Sequence, residues 1–411
     1  MAAPTAAAAP PASASVYPVM LGIDVLEATG FKPLLGKRVG LLTHPAGVNR
    51  RGVSTVDVLR QAPQVNLVAL FGPEHGIYGD EKANVPVDDR IDPRTGLPVF
   101  SLYGKYRTPT AKMLSGLDVL VVDLQDIGTR SYTYVSCMRL AMTACFEAGV
   151  QFIVLDRPNP LGGLKVDGPP LDAKWKSYVG AFRVPYVHGL TIGELARMAK
   201  HAPGVLDVDA ATLAAGDLLV VPMRGWTRSM RWPETGLNWV PTSPMIPDFA
   251  AVVGYPMVGL GAELNKFSHG LGPNIYPFRG IAHGGTRIDE LESLLRALHV
   301  PGVGIQRVQV NDRAGRPTEG LYLQVTDWSQ WNPTEMNFHL MRLACALEKP
   351  NPYVATPRSR AELFIKHLGS EAFFDAIARD GDRVDLDAWL ATWKQQAAIY
   401  QKQSQRFWLY Q

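Results

Sequence analysis

Residues 72–76 read Gly-Pro-Glu-His-Gly, and Glu74 and His75 are the first pair in the chain whose types and placement suggest catalysis. An apolar run at 67–71 reads as a buried strand that stops at Gly72-Pro73, so the carboxyl and the imidazole emerge at a strand's carboxyl end, where open α/β sheets hold their ligands. Other polar residues are expected on the same edge: Asp126, Arg130, Tyr132 and Tyr134 after the run at 118–123, and Asp156, Arg157 and Asn159 after the run at 152–156. His188 follows in the loop at 185–189, and Glu263 lies in a glycine-rich loop at 259–272 that is expected to form a second wall of a cleft.

Several carboxyls gathered at one edge suggest glycosidic chemistry. A glycosidase typically sets one carboxyl as acid and a second as nucleophile or base, roughly 5 Å or roughly 6.5–9.5 Å away. Burial beside an apolar wall keeps such an acid protonated, and Glu74, leaving a buried strand, suits that place. Arg130 and Arg157 could grip a substrate carboxylate through both N–H edges, or they could pair internally with Asp126 or Asp156. A metal site drawn from His44, His75, Asp126, Asp156 and His188 is conceivable, but neither HExxH nor a calcium loop occurs, and no metal is assigned. No GxSxG serine elbow is present either.

The elements that must position these residues are legible as apolar runs. Runs at 37–42, 65–71, 118–123 and 152–156 are nearly continuous, as strands of a sheet covered on both faces are. Polar loops and helices at 54–61, 135–148 and beyond Thr191 follow them, the pattern of a parallel α/β sheet. Right-handed crossovers then place the loops on one edge. The topology is Rossmann-like, yet neither GxGxxG nor a P-loop appears, so no nucleotide cofactor is expected. Thr191 and Glu194 form a capping box, which gives Glu194 a structural role.

Beyond residue 222 the pattern changes. Residues 226–247 carry Trp226, Trp232 and Trp239 among prolines and either line a sugar surface or pack between domains. Helices at 286–298, 337–347 and 358–377 and a strand at 320–326 lack strict alternation and suggest a smaller α+β domain. The expected division is a flexible leader at 1–16, a Rossmann-like α/β domain at 17–215 and the α+β domain at 216–411.

Composition narrows the function. The 411 residues are 46% hydrophobic and 19% charged, with a net charge of +3, too small and too evenly spread for a nucleic-acid groove. No stretch approaches the roughly 20 apolar residues of a membrane span. Cys137, Cys145 and Cys345 follow no metal or redox spacing and read as small core hydrophobes.

Taken in order, GPEHG at 72–76, the segment VDDRIDPRTGLPV at 87–99, SLYGK at 101–105, LQDIGTRSYTY at 124–134, VLDRPNPLGG at 154–163 and VHGLTIGEL at 187–195 resemble the exo-β-N-acetylmuramidase family of glycoside hydrolases. The resemblance spans about residues 20–380. It implies a Rossmann-like domain, a smaller C-terminal domain and a cleft between them, with no cofactor. It also implies release of terminal N-acetylmuramic acid from the non-reducing end of peptidoglycan fragments, with Glu74 as the acid. His75, Asp126, Arg130, Tyr132, Tyr134, Asp156, Arg157 and Asn159 fall on the other polar motif positions. The sugar's lactyl carboxylate suits an arginine, and its acetamido group can replace a protein nucleophile. Such a substrate, with the Ala/Pro-rich leader, suggests an exported protein, periplasmic or secreted. One segment departs from the family pattern: Leu264-Asn265-Lys266 replace small residues, and Leu271 replaces an arginine.

Overall fold

The computed structural model describes residues 19–79, 89–264, 266–272, 275–312 and 314–411, and the side chains of residues 262 and 263 lie outside that description. The leader at 1–16 and residues 80–88, with the first two positions of the 87–99 motif, therefore fall outside it. Strands run Arg38–Thr43 (β1), Asn66–Gly72 (β2), Arg90–Ile91 (β3), Pro98–Ser101 (β4), Val119–Asp123 (β5) and Gln151–Leu155 (β6). Asp167–Pro170 (β7) and Pro185–Val187 (β8) pair with each other, and Leu218–Val221 (β9) follows.

Among the described residues β1–β6 and β9 form one sheet in the order β3-β4-β2-β1-β5-β6-β9, parallel except for the short edge strand β3. β5 is buried throughout. Neighbouring residues face opposite sides of the pleat: Leu42, Val122 and Val154 enter one hydrophobic cluster, while Leu41, Val121 and Ile153 enter the other. The first cluster takes in the helices Thr133–Glu147 and Ile192–His201, and the second takes in Gly22–Ala28 and Thr55–Gln61. This is the doubly covered parallel sheet expected from the apolar runs. Because β9 pairs in parallel with β6, the sheet extends past residue 215, where the sequence reading divides the chain.

The remainder is α+β. Gly280–Ile281 (β10), Val303–Asn311 (β11) and Pro317–Val325 (β12) form an antiparallel sheet in the order β10-β12-β11. Helices Glu335–Leu347, Arg358–Leu368, Ala372–Asp380 and Leu386–Ser404 complete it. The helix expected at 358–377 is two helices, broken at Gly369, where φ is 89°. A Cβ there would sit 2.5 Å from Nη2 of Arg130, so glycine serves both the turn and the close approach. No helix among the described residues is long and apolar enough to cross a membrane.

Candidate active site

β1 lies between β2 and β5, so connections leave it in opposite directions, and the carboxyl edge beside it is the topological switch point. A cavity of ≈ 540 Å³ opens there, within the ~300–1,000 Å³ typical of small-molecule sites. Glu74 enters it from the end of β2, and Ser131, Tyr132 and Thr133 enter from the loop after β5. The turn that presents Glu74 is closed by the Gly76 N–H donating to the Pro73 carbonyl at 3.0 Å. His75 takes its third position at φ 71°, a conformation usually left to glycine or asparagine and one that tends to mark functional turns.

Glu74 is half-buried and held from two sides. The Thr133 hydroxyl, on the first residue of its helix, donates to Oε2 at 2.9 Å, and the Tyr103 phenol hydrogen-bonds the same carboxyl. Burial, and next the charge of Glu74, push the Tyr103 phenol up to about 12, so it stays a donor at neutral pH. Behind the wall, the Tyr134 hydroxyl donates to the Thr242 carbonyl at 2.6 Å and reaches the Glu74 carbonyl at 3.4 Å. The Tyr132 hydroxyl donates to Thr242 Oγ1 at 2.7 Å. Glu74 is the only carboxyl among the described residues that line the cavity. Its surroundings are hydroxyls, rings and cations rather than the apolar wall expected from the sequence.

Most of the other expected site residues lie behind this wall. Arg130 is fully buried and donates to four backbone carbonyls: Pro169 at 2.8 Å, Val184 at 2.6 Å, His367 at 3.1 Å and Leu368 at 2.6 Å. It caps the carboxyl end of the helix Arg358–Leu368, where a cation suits both the open carbonyls and the dipole. Burial lowers its pKa to about 10, which leaves it charged at neutral pH. Arg157 pairs with buried Asp123 at 2.5 Å and donates to the Val48 carbonyl at 2.6 Å. The cavity beside it holds only ≈ 40 Å³, space for water and not for a sugar ring. Neither arginine lines the larger cavity, and neither guanidinium pairs with Asp126 or Asp156.

Asp156 is completely buried and accepts from the Arg157 N–H at 3.0 Å, the Gly193 N–H at 2.8 Å, the Thr191 hydroxyl at 2.8 Å and the Tyr410 hydroxyl at 2.5 Å. Asn159 bridges the Leu161 N–H and the Leu190 carbonyl. Asp126 accepts from the Gly128 N–H at 2.8 Å and lies 3.4 Å from His188 Nε2. His75 is buried and near His44, whose pKa is depressed by burial, then by Arg157, then by His75. Of the five candidate metal ligands, Asp126 lies with His188 and His44 near His75, while Asp156 is held by its own donors. Among the described residues no three His, Cys, Asp or Glu side chains are grouped to hold an ion.

The second wall also differs from expectation. No described residue of 259–272 lines the cavity, and the Glu263 side chain lies outside the described residues. Tyr255 from the helix Phe249–Val258, Ser177–Val179, and Leu363, Lys366 and His367 from the helix Arg358–Leu368 form that wall instead. Trp226 and Trp232 are buried, and Trp232 and Trp239 pack edge to face at 4.9 Å away from the cavity, so this stretch packs. Thr191 and Glu194 do form the capping box, and Glu194 also takes an ion pair from Arg228 at 2.6 Å. All three cysteines are buried and free. Sequence reasoning missed Tyr103, Arg107, Tyr178, Tyr255 and Lys366. The one local signal was the run of tyrosines and cations at 101–107, which overlaps the SLYGK motif.

Comparison with known proteins places these features in a wider context. Models described as exo-beta-N-acetylmuramidase NamZ match the chain in two parts, the N-terminal model over residues 39–250 and the C-terminal model over residues 253–410. The chain is 41% identical over 346 residues to the peptidoglycan beta-N-acetylmuramidase NamZ of Bacillus subtilis (strain 168), which covers 82% of this chain and 81% of that protein. It also resembles crystal structures of two DUF1343 family proteins from Bacteroides fragilis NCTC 9343. One has TM-score 0.85 at 38% identity and the other 0.72 at 27%, each covering 96% of this chain and 99% of the solved chain.

Proposed function

The chain belongs to the exo-β-N-acetylmuramidase family of glycoside hydrolases, and from that premise we propose that it releases terminal N-acetylmuramic acid from the non-reducing end of peptidoglycan fragments, with Glu74 as general acid and then general base. The observation that carries the residue assignment is the isolation of Glu74: it is the only carboxyl among the described residues lining a cavity large enough for a sugar ring. Thr133 and Tyr103 fix its orientation.

A single carboxyl among the described residues of the wall favours assistance by the substrate. The oxygen of the 2-acetamido group attacks C1, the glycosidic C1–O bond breaks, and Glu74 gives its proton to the departing oxygen. Water then opens the resulting ring at C1 and returns a proton to the Glu74 carboxylate, so the configuration at C1 is retained. Ser131, Tyr132 and Tyr255 supply hydroxyls and ring faces along the sugar. His75 acts as a positioning residue through the turn it completes. The reading includes export to the periplasm or beyond, where such fragments arise, and a place in cell-wall recycling.

The test is turnover of a chromogenic β-glycoside of N-acetylmuramic acid. Glu74→Gln is expected to lower kcat/KM by about 10³-fold or more, at the upper part of the range for loss of a general acid. Its melting temperature should stay close to that of wild type. Wild-type turnover in the variant would remove Glu74 from the reaction.

A further inference from the structure

The cavity carries two cations that neither the fold nor the acid chemistry uses. Arg107, in the loop after β4, lays its guanidinium 4.1 Å from the Tyr178 ring centroid and 4.9 Å from that of Tyr103. Lys366 enters from the helix that Arg130 caps. The ion pairs among the described residues involve other cations such as Arg94, Arg139, Arg358 and Arg379 and neither of these two. This sets them apart from Arg130 and Arg157, whose guanidiniums bond backbone carbonyls and Asp123. His367, beside Lys366, adds no charge at neutral pH, because burial and then Arg130 lower its pKa to about 4.

Among the described lining residues two cations face one carboxyl, which suits the cavity to an anion. Stacking on Tyr178 fixes the plane of the Arg107 guanidinium and leaves an in-plane N–H edge for a carboxylate. Tyr103 stands between the two groups, with the Arg107 guanidinium 4.9 Å from its ring centroid and its phenol on Glu74, so the acid and the guanidinium flank one side chain of the same cavity. A pyranose ring that presents its C1 oxygen to Glu74 then turns its C3 side towards the Arg107 wall. On N-acetylmuramic acid the C3 oxygen bears the lactyl group and its carboxylate.

We propose that Arg107, with Lys366 as the second cation, is the specificity-determining residue that recognises the lactyl carboxylate of the terminal sugar. The assignment rests on the glycosidase reading above and adds the residues that distinguish N-acetylmuramic acid from neutral N-acetylglucosamine. The role sought in Arg130 and Arg157 thus moves to a different arginine.

The experiment compares binding of free N-acetylmuramic acid with binding of its lactyl methyl ester, in which the anion is lost and the ring kept. Titration calorimetry on wild type is expected to show the acid bound roughly 10- to 100-fold tighter than the ester, the worth of a charge-assisted hydrogen bond. Arg107→Gln should reduce that ratio to within about threefold of one. Arg107→Lys should restore part of it, and Lys366→Gln should lower it less. With the chromogenic glycoside, Arg107→Gln should raise KM far more than it lowers kcat. Lys366→Glu, a charge reversal on a separate element, gives the same readout should the arginine variant fold poorly. An undiminished acid preference in folded Arg107→Gln overturns the proposal, as does equal affinity of wild type for acid and ester or no saturable binding of the acid. A wild type that binds the acid selectively yet hydrolyses no muramic acid glycoside contradicts the glycosidase reading instead, so the two failures are distinct.

Discussion

Two polar regions lie at the carboxyl edge of the same sheet, and they do opposite things with their charges. Behind the wall, Arg130, Asp156, Arg157 and Asn159 bond backbone groups, Asp123 and the hydroxyls of Thr191 and Tyr410. In the cavity, Glu74, Arg107 and Lys366 face open space, with hydroxyls and rings for neighbours. The difference shows that a charged residue marks a ligand site by lining open space, not by belonging to a polar motif. A buried cation that meets several carbonyls is a fastener. Arg130 ties the sheet to the helix that brings Lys366 and His367 to the cavity, so one region builds the other.

That division can be attacked from either side. The largest effect is expected at Glu74, where Glu74→Gln removes turnover and leaves urea unfolding unchanged. If that variant also unfolds early, the two regions are not separate. Arg157→Met should do the reverse. It strands Asp123 in the core and is expected to cost about 3–5 kcal/mol of stability, read from urea midpoints, while activity per folded molecule changes little. Arg130→Gln should cost about 1–3 kcal/mol by leaving buried carbonyls unmet. It should also weaken binding of the sugar acid, because the helix bearing Lys366 loses its anchor, and calorimetry after a melting check separates the two effects.

The smallest expected effect is a pH slope. His367 has its pKa held at about 4 in the folded chain against an ordinary 6.5. The unfolded chain takes up a proton as pH falls through about 6.5, and the folded chain does so only near 4. Stability present above pH 6.5 is therefore lost as pH falls from 6.5 towards 4. His367→Gln should flatten that part of a melting-temperature profile. An equally steep slope in the variant would assign the acid sensitivity to other groups.

The sheet was legible because each strand buried on both faces leaves a continuous apolar run, and β1, β2, β5 and β6 all fall on such runs. Glu74 was legible because Gly72-Pro73 ends β2 immediately before it. The other end of the reading is Arg130, whose motif advertises charge but not where the charge goes. Its four acceptors come from three segments distant in sequence, and no local pattern encodes them. Arg107, Tyr255 and Lys366 were hidden for the same reason, since each looks like a surface residue until the fold folds a cavity around it. β11, which strongly pairs with β12 in register, was missed because its sequence, VGIQRVQVN, is exposed on much of its length and lacks a clear apolar face.

The central claim is that one carboxyl, Glu74, splits a muramic acid linkage in this cavity. The most direct measurement incubates wild type and Glu74→Gln with the β-1,4-linked disaccharide of N-acetylmuramic acid and N-acetylglucosamine and reads the products by mass spectrometry. The account expects both free sugars from wild type and intact disaccharide from the folded variant. Intact disaccharide with wild type, or both free sugars from the variant, would contradict it.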